Sequence, residues 1–283
     1  MTFEEVVRII LTMFPGPRCA INMNLDIPIY RIHSYRYLGD LLSGKLVLRS
    51  TSCWTDRYEN LIAMCGYSAE AEDAEIKQYF FDQTRLPTFA QCWTTIQESD
   101  ALWRIYSHLT KKGIAGSTFS KDEGVRLRTT PRKLVKCLAG SFSDKSKENC
   151  YIGPVHYLDA QQLKQYIADI IGTNREHAFS GFSGHVDALM LKRNAFEHEQ
   201  EIRLLYIDTG REFKGEDQVE VPIDVNTVIE EITLDPRIPE GDKRIRREKW
   251  LRSKDFKNEI SISMLYLGIL LDVQLHPPEE LTS

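Results

Sequence analysis

Glu199, Glu201 and Arg203 alternate along Glu199-Gln200-Glu201-Ile202-Arg203-Leu204-Leu205-Tyr206. On a strand of two-residue period these three share one face, and Ile202, Leu204 and Tyr206 share the other. A carboxylate held still on a half-buried strand stabilises a cation that develops beside it, and its neighbours set its charge. Glu201 and Glu199 are therefore candidate catalytic residues, with Arg203 beside them. The competing expectation is a solvated strand face carrying an ion pair.

A second charged group is basic. Arg126, Arg128, Arg132, Lys133 and Lys136 fall in a strand–turn–helix step in which Thr130 is the N-cap and Pro131 the first helical residue. Guanidinium forks and the free amides of a helix start both bind phosphate, so a nucleotide or an RNA backbone suits this step. A basic face paired with nearby acids is the alternative. A third group is aromatic. Trp54, Trp93, Trp103 and Tyr106 can stack a flat ring or fill the core. Asp56, Glu59, Arg104 and Ser107 are their polar companions. His198, between Glu197 and Glu199, reads as a surface residue. No Cys-x-x-Cys pair, zinc-like histidine spacing or glycine-rich phosphate loop occurs, so no metal is expected.

The elements that would position these groups alternate in type. Strands are predicted at 27–32, 46–48, 89–94, 113–119, 124–129, 150–158, 201–207, 219–223, 228–234 and 259–270. Helices are predicted at 3–14, 37–42, 69–81, from the Ser99 cap onward, from Pro131, at 160–171 and at 240–251. Residues 50–60, 141–149 and 172–184 read as loops. In the helix after Ser99, Leu102, Ile105, Tyr106 and Leu109 form the expected apolar stripe. Intermixed strands and helices imply an α+β class with a mixed, mainly antiparallel sheet flanked by helices. No linker or repeat divides the chain, so one domain over 1–283 is expected. It would have a helical lead at 1–16 and a C-terminal extension at 240–283.

The chain has 283 residues, 42% hydrophobic and 27% charged, which allows a core to form without staples. A net charge of −5 argues against a generally nucleic-acid-coated protein and leaves room for a local basic groove. The six cysteines lack a disulfide-like or metal-like pattern, and the first residues are acidic and amphipathic rather than signal-like. A reduced, cytoplasmic protein without a membrane anchor is the expectation.

Several segments together resemble a mainly bacterial family catalogued as domain of unknown function 2971. They are Tyr30-Arg31-Ile32, Trp54-Thr55-Asp56-Arg57-Tyr58-Glu59-Asn60, Gln91-Cys92-Trp93-Thr94, Glu98 to Ser107, Val125 to Thr130, Tyr151 to Leu158 and Lys192 to Arg203. The resemblance spans roughly residues 27–240 and adds Arg193 to the candidates. Where that family often has Trp-x-Asp-Pro-Phe-Glu, this chain has Arg57 in place of the proline. The family supplies no reaction.

Arg31, Ser50-Thr51-Ser52 and Glu199-Gln200-Glu201 also look like the Arg … Ser-Thr-Ser … Glu-x-Glu series of ADP-ribosyltransferases, with a longer gap between Ser52 and Glu199 than compact members have. That resemblance implies that Arg31 grips NAD, that Ser50 or Ser52 supports the nicotinamide pocket, and that Glu201 stabilises the ribosyl cation. Glu199 would help to activate an acceptor. The expected function is NAD-dependent ADP-ribosyl transfer or NAD hydrolysis, in a toxin or defence effector acting on nucleic acid or protein. The alternatives are a nucleic-acid-binding or nucleic-acid-processing effector that uses the arginine step, and a non-catalytic interaction module.

Overall fold

Strands and helices follow the sequence periodicities closely enough to build one sheet. The computed structural model describes residues 23–56, 59, 86–109, 122–141, 149–173, 182–239 and 241–266. The elements expected at 3–14, 69–81 and 113–119 lie outside these residues, as does most of the 141–149 loop.

The strands are β1 (Ile29–Ser34), β2 (Lys45–Ser50), β3 (Thr88–Thr94), β4 (Gly124–Thr129), β5 (Cys150–Pro154), β6 (His156–Leu158), β7 (Leu191–Arg193), β8 (Glu201–Ile207), β9 (Gln218–Pro222), β10 (Glu231–Leu234) and β11 (Glu259–Ile262). The helices are α1 (Tyr35–Leu42), α2 (Asp100–Tyr106), α3 (Pro131–Ser141), α4 (Ala160–Thr173), α5 (Phe182–Leu189), α6 (Val225–Val228) and α7 (Asp242–Ser253). Among the described residues, nine strands form a mixed, mainly antiparallel sheet, in which β10 and β11 run parallel. The strands β6 and β7 form a separate parallel ladder. The class is α+β. Among the described residues no helix is long and apolar enough to cross a membrane.

The centre of the sheet is β3. One of its edges carries β8 along its whole length, from Thr88↔Ile207 to Thr94↔Glu201. The other edge is shared by two strands: β2 pairs at Phe89 and Ala90, and β1 pairs at Thr94. Between those contacts β1 and β2 diverge, and the sheet splits beside Gln91, Cys92 and Trp93.

Alternation explains the two cores. Phe89, Trp93, Ile202, Leu204 and Tyr206 join the main cluster with Leu134 and Leu138 of α3. Ala90, Leu205 and Ile207 point the other way, against Val186, Leu189 and Met190. All seven residues of β8 are buried. The expectation of a half-buried strand with one solvated face is therefore corrected: both faces are covered.

Several boundaries also move for identifiable reasons. The Ser99 hydroxyl accepts from the Leu102 N–H and starts α2, but the helix ends at Tyr106, so no stripe can run on to Leu109. Leu102 and Trp103 take the buried side, while Ile105 and Tyr106 are nearly half exposed. The single strand expected at 150–158 breaks at Val155, whose N–H goes to the Glu201 carbonyl, and its two halves pair with different partners. Asp224 caps α6, which delays the strand expected from Val228 until Glu231. The last strand lies at the sheet edge and is partly exposed rather than buried. Of the loop expected at 172–184, residues 182–184 begin α5.

Candidate functional site

A cleft of about 530 Å³ opens where the sheet splits, within the range of small-ligand sites. Arg31, Val47, Arg49, Gln91, Cys92 and Trp93 line the split itself. Trp54, Asp56, Glu59, Tyr106, Lys192, Phe196, Glu199 and Glu201 complete the walls.

One wall is rich in carboxylates. Glu201 opens β8 with its side chain on the face shared with Cys92 and Arg203. Arg203 clamps it twice, Nε to Oε1 at 2.8 Å and Nη2 to Oε2 at 3.1 Å. Lys192 reaches Oε2 at 3.1 Å, and Cys92 lies on the same face, opposite Arg203. The same ammonium contacts Glu199 at 2.6 Å and Glu59 at 3.0 Å. Arg203 lies 3.4 Å from Glu59, places its guanidinium 4.4 Å from the centre of the Trp54 ring, and donates to the Leu189 carbonyl. Three carboxylates thus share two cations. Burial pushes Glu201 up, but Arg203, Lys192 and the Cys92 thiol together bring it down to about 2. Burial pushes Glu59 up, against the pull of Arg203 and Lys192. Burial also raises the Cys92 thiol, and the neighbouring Glu201 charge adds to this, so Cys92 is a poor nucleophile. Among the described residues no group of His, Cys, Asp and Glu could hold a metal ion.

The turn feeding β8 is fixed by the end of β3. Gln200 adopts a left-handed backbone (φ 40°), rare for a non-glycine residue. Thr95 donates its N–H to the Gln200 carbonyl, and Thr94 donates its hydroxyl to the Glu199 carbonyl at 2.6 Å. The Glu201 N–H donates to the Tyr157 hydroxyl at 2.8 Å.

The β1 and β2 side of the cleft carries two arginines, Arg31 and Arg49. The Arg31 guanidinium donates to the Cys92 carbonyl inside the split. Its Nε is buried without a partner, and among the described residues no carboxylate pairs with it. Burial lowers its affinity for its proton, and the charge of Glu201 partly offsets that. Arg49, exposed on β2, also lacks an ion pair among the described residues.

Eight of the residues singled out from sequence meet here: Arg31, Trp54, Asp56, Glu59, Trp93, Tyr106, Glu199 and Glu201. Arg203 lies directly behind them with no exposed surface. Arg193 holds Asp56 through Nε and Nη2 at 3.1 and 3.0 Å. Ser50 caps the short 3-10 turn Thr51–Cys53 beside the rim by accepting from the Ser52 N–H, and the two hydroxyls bond each other at 2.7 Å. Trp103 is core, and Arg104 pairs on the surface with Asp100. Arg126 and Arg128 are not in the cleft. Arg126 pairs with Glu98 and reaches Thr233 at 2.9 Å, and Arg128 pairs with Glu231 at 2.9 Å and Glu230 at 3.4 Å. Arg132 and Lys133 meet Asp26 and Glu230. Sequence reasoning did not single out Lys192, Cys92 or Arg49. The register gives Cys92 away, because it lies opposite Arg203, but nothing local marks Lys192.

No family model matches this chain. No curated protein matches it either. The resemblance to domain of unknown function 2971 thus rests on the quoted segments alone. Among solved structures, Thermus sp. 2.9 DarT is similar in two forms, each at 14% identity and a TM-score of 0.34. The complex with NAD+ covers 89% of this chain and 98% of that chain, and the complex with ADP-ribosylated ssDNA covers 84% and 94%. Likeness at this level assigns no residue of this chain a role.

Proposed function

We propose that the cleft binds NAD and that the protein breaks the nicotinamide–ribose bond, passing ADP-ribose to an acceptor or to water. The observation that carries the reading is Arg31, a guanidinium without a carboxylate partner that faces a wall with one carboxylate in excess. A partly buried charge without an opposite partner is costly, so such a group is a natural seat for an anion. NAD is polarised the same way, with an anionic pyrophosphate and a cationic nicotinamide ribose. Arg31 and Arg49 would take the phosphates, and the wall of Glu59, Glu199 and Glu201 would face the ribose.

The chemistry follows from that orientation. The bond from ribose C1′ to the ring nitrogen breaks, and its electron pair leaves on neutral nicotinamide. The positive charge moves to the ribose, where fixed carboxylates stabilise it more than they stabilise the ground state. A nucleophile then bonds to C1′ and gives its proton to a carboxylate or to solvent. Trp54 and Tyr106 supply aromatic rings to the lining of the cleft.

Calorimetric titration of NAD into wild type and Arg31→Ala, with nicotinamide release followed by chromatography, tests the reading. Saturable binding in wild type is expected, weakened at least about tenfold in the variant, as for loss of one charge-assisted contact. Absence of binding at millimolar NAD would reject it.

A further inference from the structure

The two carboxylates of Glu199-Gln200-Glu201 are not equivalent. An ionised carboxylate offers about four lone-pair sites. Glu201 has three donors on it, two from Arg203 and one from Lys192. Its side chain is 4% exposed. Glu199 has one, the Lys192 ammonium on Oε2 at 2.6 Å, and its side chain is 15% exposed. Among the described residues no donor reaches Glu199 Oε1, and Glu199 lines the cleft. At Glu201 both oxygens are already bonded and almost wholly buried, whereas at Glu199 a ligand hydroxyl or a developing cation finds one oxygen without a donor among the described residues.

We propose that Glu199, not Glu201, is the carboxylate that meets the ligand, an assignment that rests on reading the cleft as an NAD site. Glu199 is then the catalytic residue, and Glu201 is a positioning residue. By holding Lys192 and Arg203, Glu201 fixes the ammonium that holds Glu199. The left-handed turn at Gln200 and the Thr94 hydroxyl on the Glu199 carbonyl present the two side chains differently, although they are only two residues apart.

Melting temperature and the kcat and KM of nicotinamide release are to be measured for wild type, Glu199→Gln, Glu199→Asp, Glu201→Gln and Glu201→Asp. Glu199→Gln is expected to keep its Tm, keep KM within about threefold and lose at least ~100-fold in kcat, with partial rescue by Glu199→Asp. Glu201→Gln is expected to lose several degrees of Tm, because it leaves two buried cations short of a partner. Per folded molecule its kcat should fall about tenfold at unchanged KM, a split that a residue merely bracing the fold would not produce. If Glu201→Gln does not fold, Glu201→Asp gives the same comparison. Glu199→Gln within about threefold of wild-type kcat would overturn the assignment, as would a ~100-fold loss in a Glu201 variant at unchanged Tm. A wild type that releases no nicotinamide would instead sink the NAD reading itself, and the assignment with it, before any variant is compared.

Discussion

Two clusters of basic and acidic side chains, the first buried and the second partly exposed, do different things. At the split, Glu59, Glu199 and Glu201 share Lys192 and Arg203, leaving one carboxylate in excess on the wall of a cavity. On the far arm, Arg126 and Arg128 are surrounded by Glu98, Glu230, Glu231 and Glu259. Thr233 and Ser261 join that network, which ties β4, β10 and β11 across their ladders, and Arg126 also packs over the Tyr30 ring of β1. Charge content does not separate the two. The separation comes from a cavity beside the first cluster and from Arg31 and Arg49, which line that cavity without an ion pair among the described residues. From sequence, the second cluster looks at least as suited to phosphate as the first. Its partners neutralise it from a distance: Glu98 lies 28 residues before Arg126, and Glu230, Glu231 and Glu259 lie more than 100 residues after.

The largest effect should come from removing the central cation of the first cluster. Arg203→Met leaves Glu201 and Glu59 buried with Lys192 alone, a loss of about 3–5 kcal/mol by analogy with broken buried pairs. Arg126→Met should also destabilise, by about 1–3 kcal/mol, because Glu98 and Thr233 lose a donor. Denaturant midpoints measure both, and NAD titration separates them. Whatever folded Arg203→Met survives should bind NAD poorly, while Arg126→Met should bind it as wild type does. Equal NAD binding in the two variants would erase the distinction between the clusters.

A smaller effect is expected from acid. Glu201 is held at about 2 in the folded protein against an ordinary 4.5, so the folded state releases its proton more readily than the unfolded chain. Its contribution is complete above pH 4.5 and is lost as pH falls toward 2. Two histidines act earlier. Burial lowers His185 to about 4, and burial together with the Arg31 charge does the same for His33, so both cost stability as pH falls from about 6.5. Glu59 has the opposite sign, since its raised value favours the folded state at low pH and is lost as pH rises. Melting curves in steps from pH 7 to 3 should fall in two stages, and Glu201→Gln should lack the stage below 4.5. A variant curve that parallels wild type there would show that Glu201 is not held ionised by its neighbours.

Much of this was legible in the chain and some was not, for reasons of range. The β8 strand was readable to the residue, because Ile202, Leu204 and Tyr206 alternate with Glu201 and Arg203. That both of its faces are buried was not readable. Polar residues signal solvent unless partners are known, and Glu59 comes from a loop more than 130 residues upstream. The helix after Ser99 was readable by its cap, but its buried side was not, because the helix stops at Tyr106 and Trp103 fills the core. Lys192 was missed because a three-residue strand carries no period, and its importance is visible only once three separate carboxylates converge on it.

The smallest effect should be at Arg104, which the sequence placed beside Trp103 and Tyr106 as a candidate binder. Its pair with Asp100 spans 2.8 Å along one helix face, and both side chains are largely exposed. The order suits the helix dipole, with the acid in the first turn and the base in the last. Such a pair is screened by water and salt and holds nothing buried in place. Arg104→Ala should therefore leave Tm and the KM for NAD unchanged at both low and physiological salt. Tyr106, two residues on, does line the cleft. A clear rise in KM that fades with added salt would extend the arginine side of the cleft from β1 and β2 onto α2 and put Arg104 in the path of the incoming phosphates. An unchanged KM confines phosphate recognition to Arg31 and Arg49, at the place where the sheet divides.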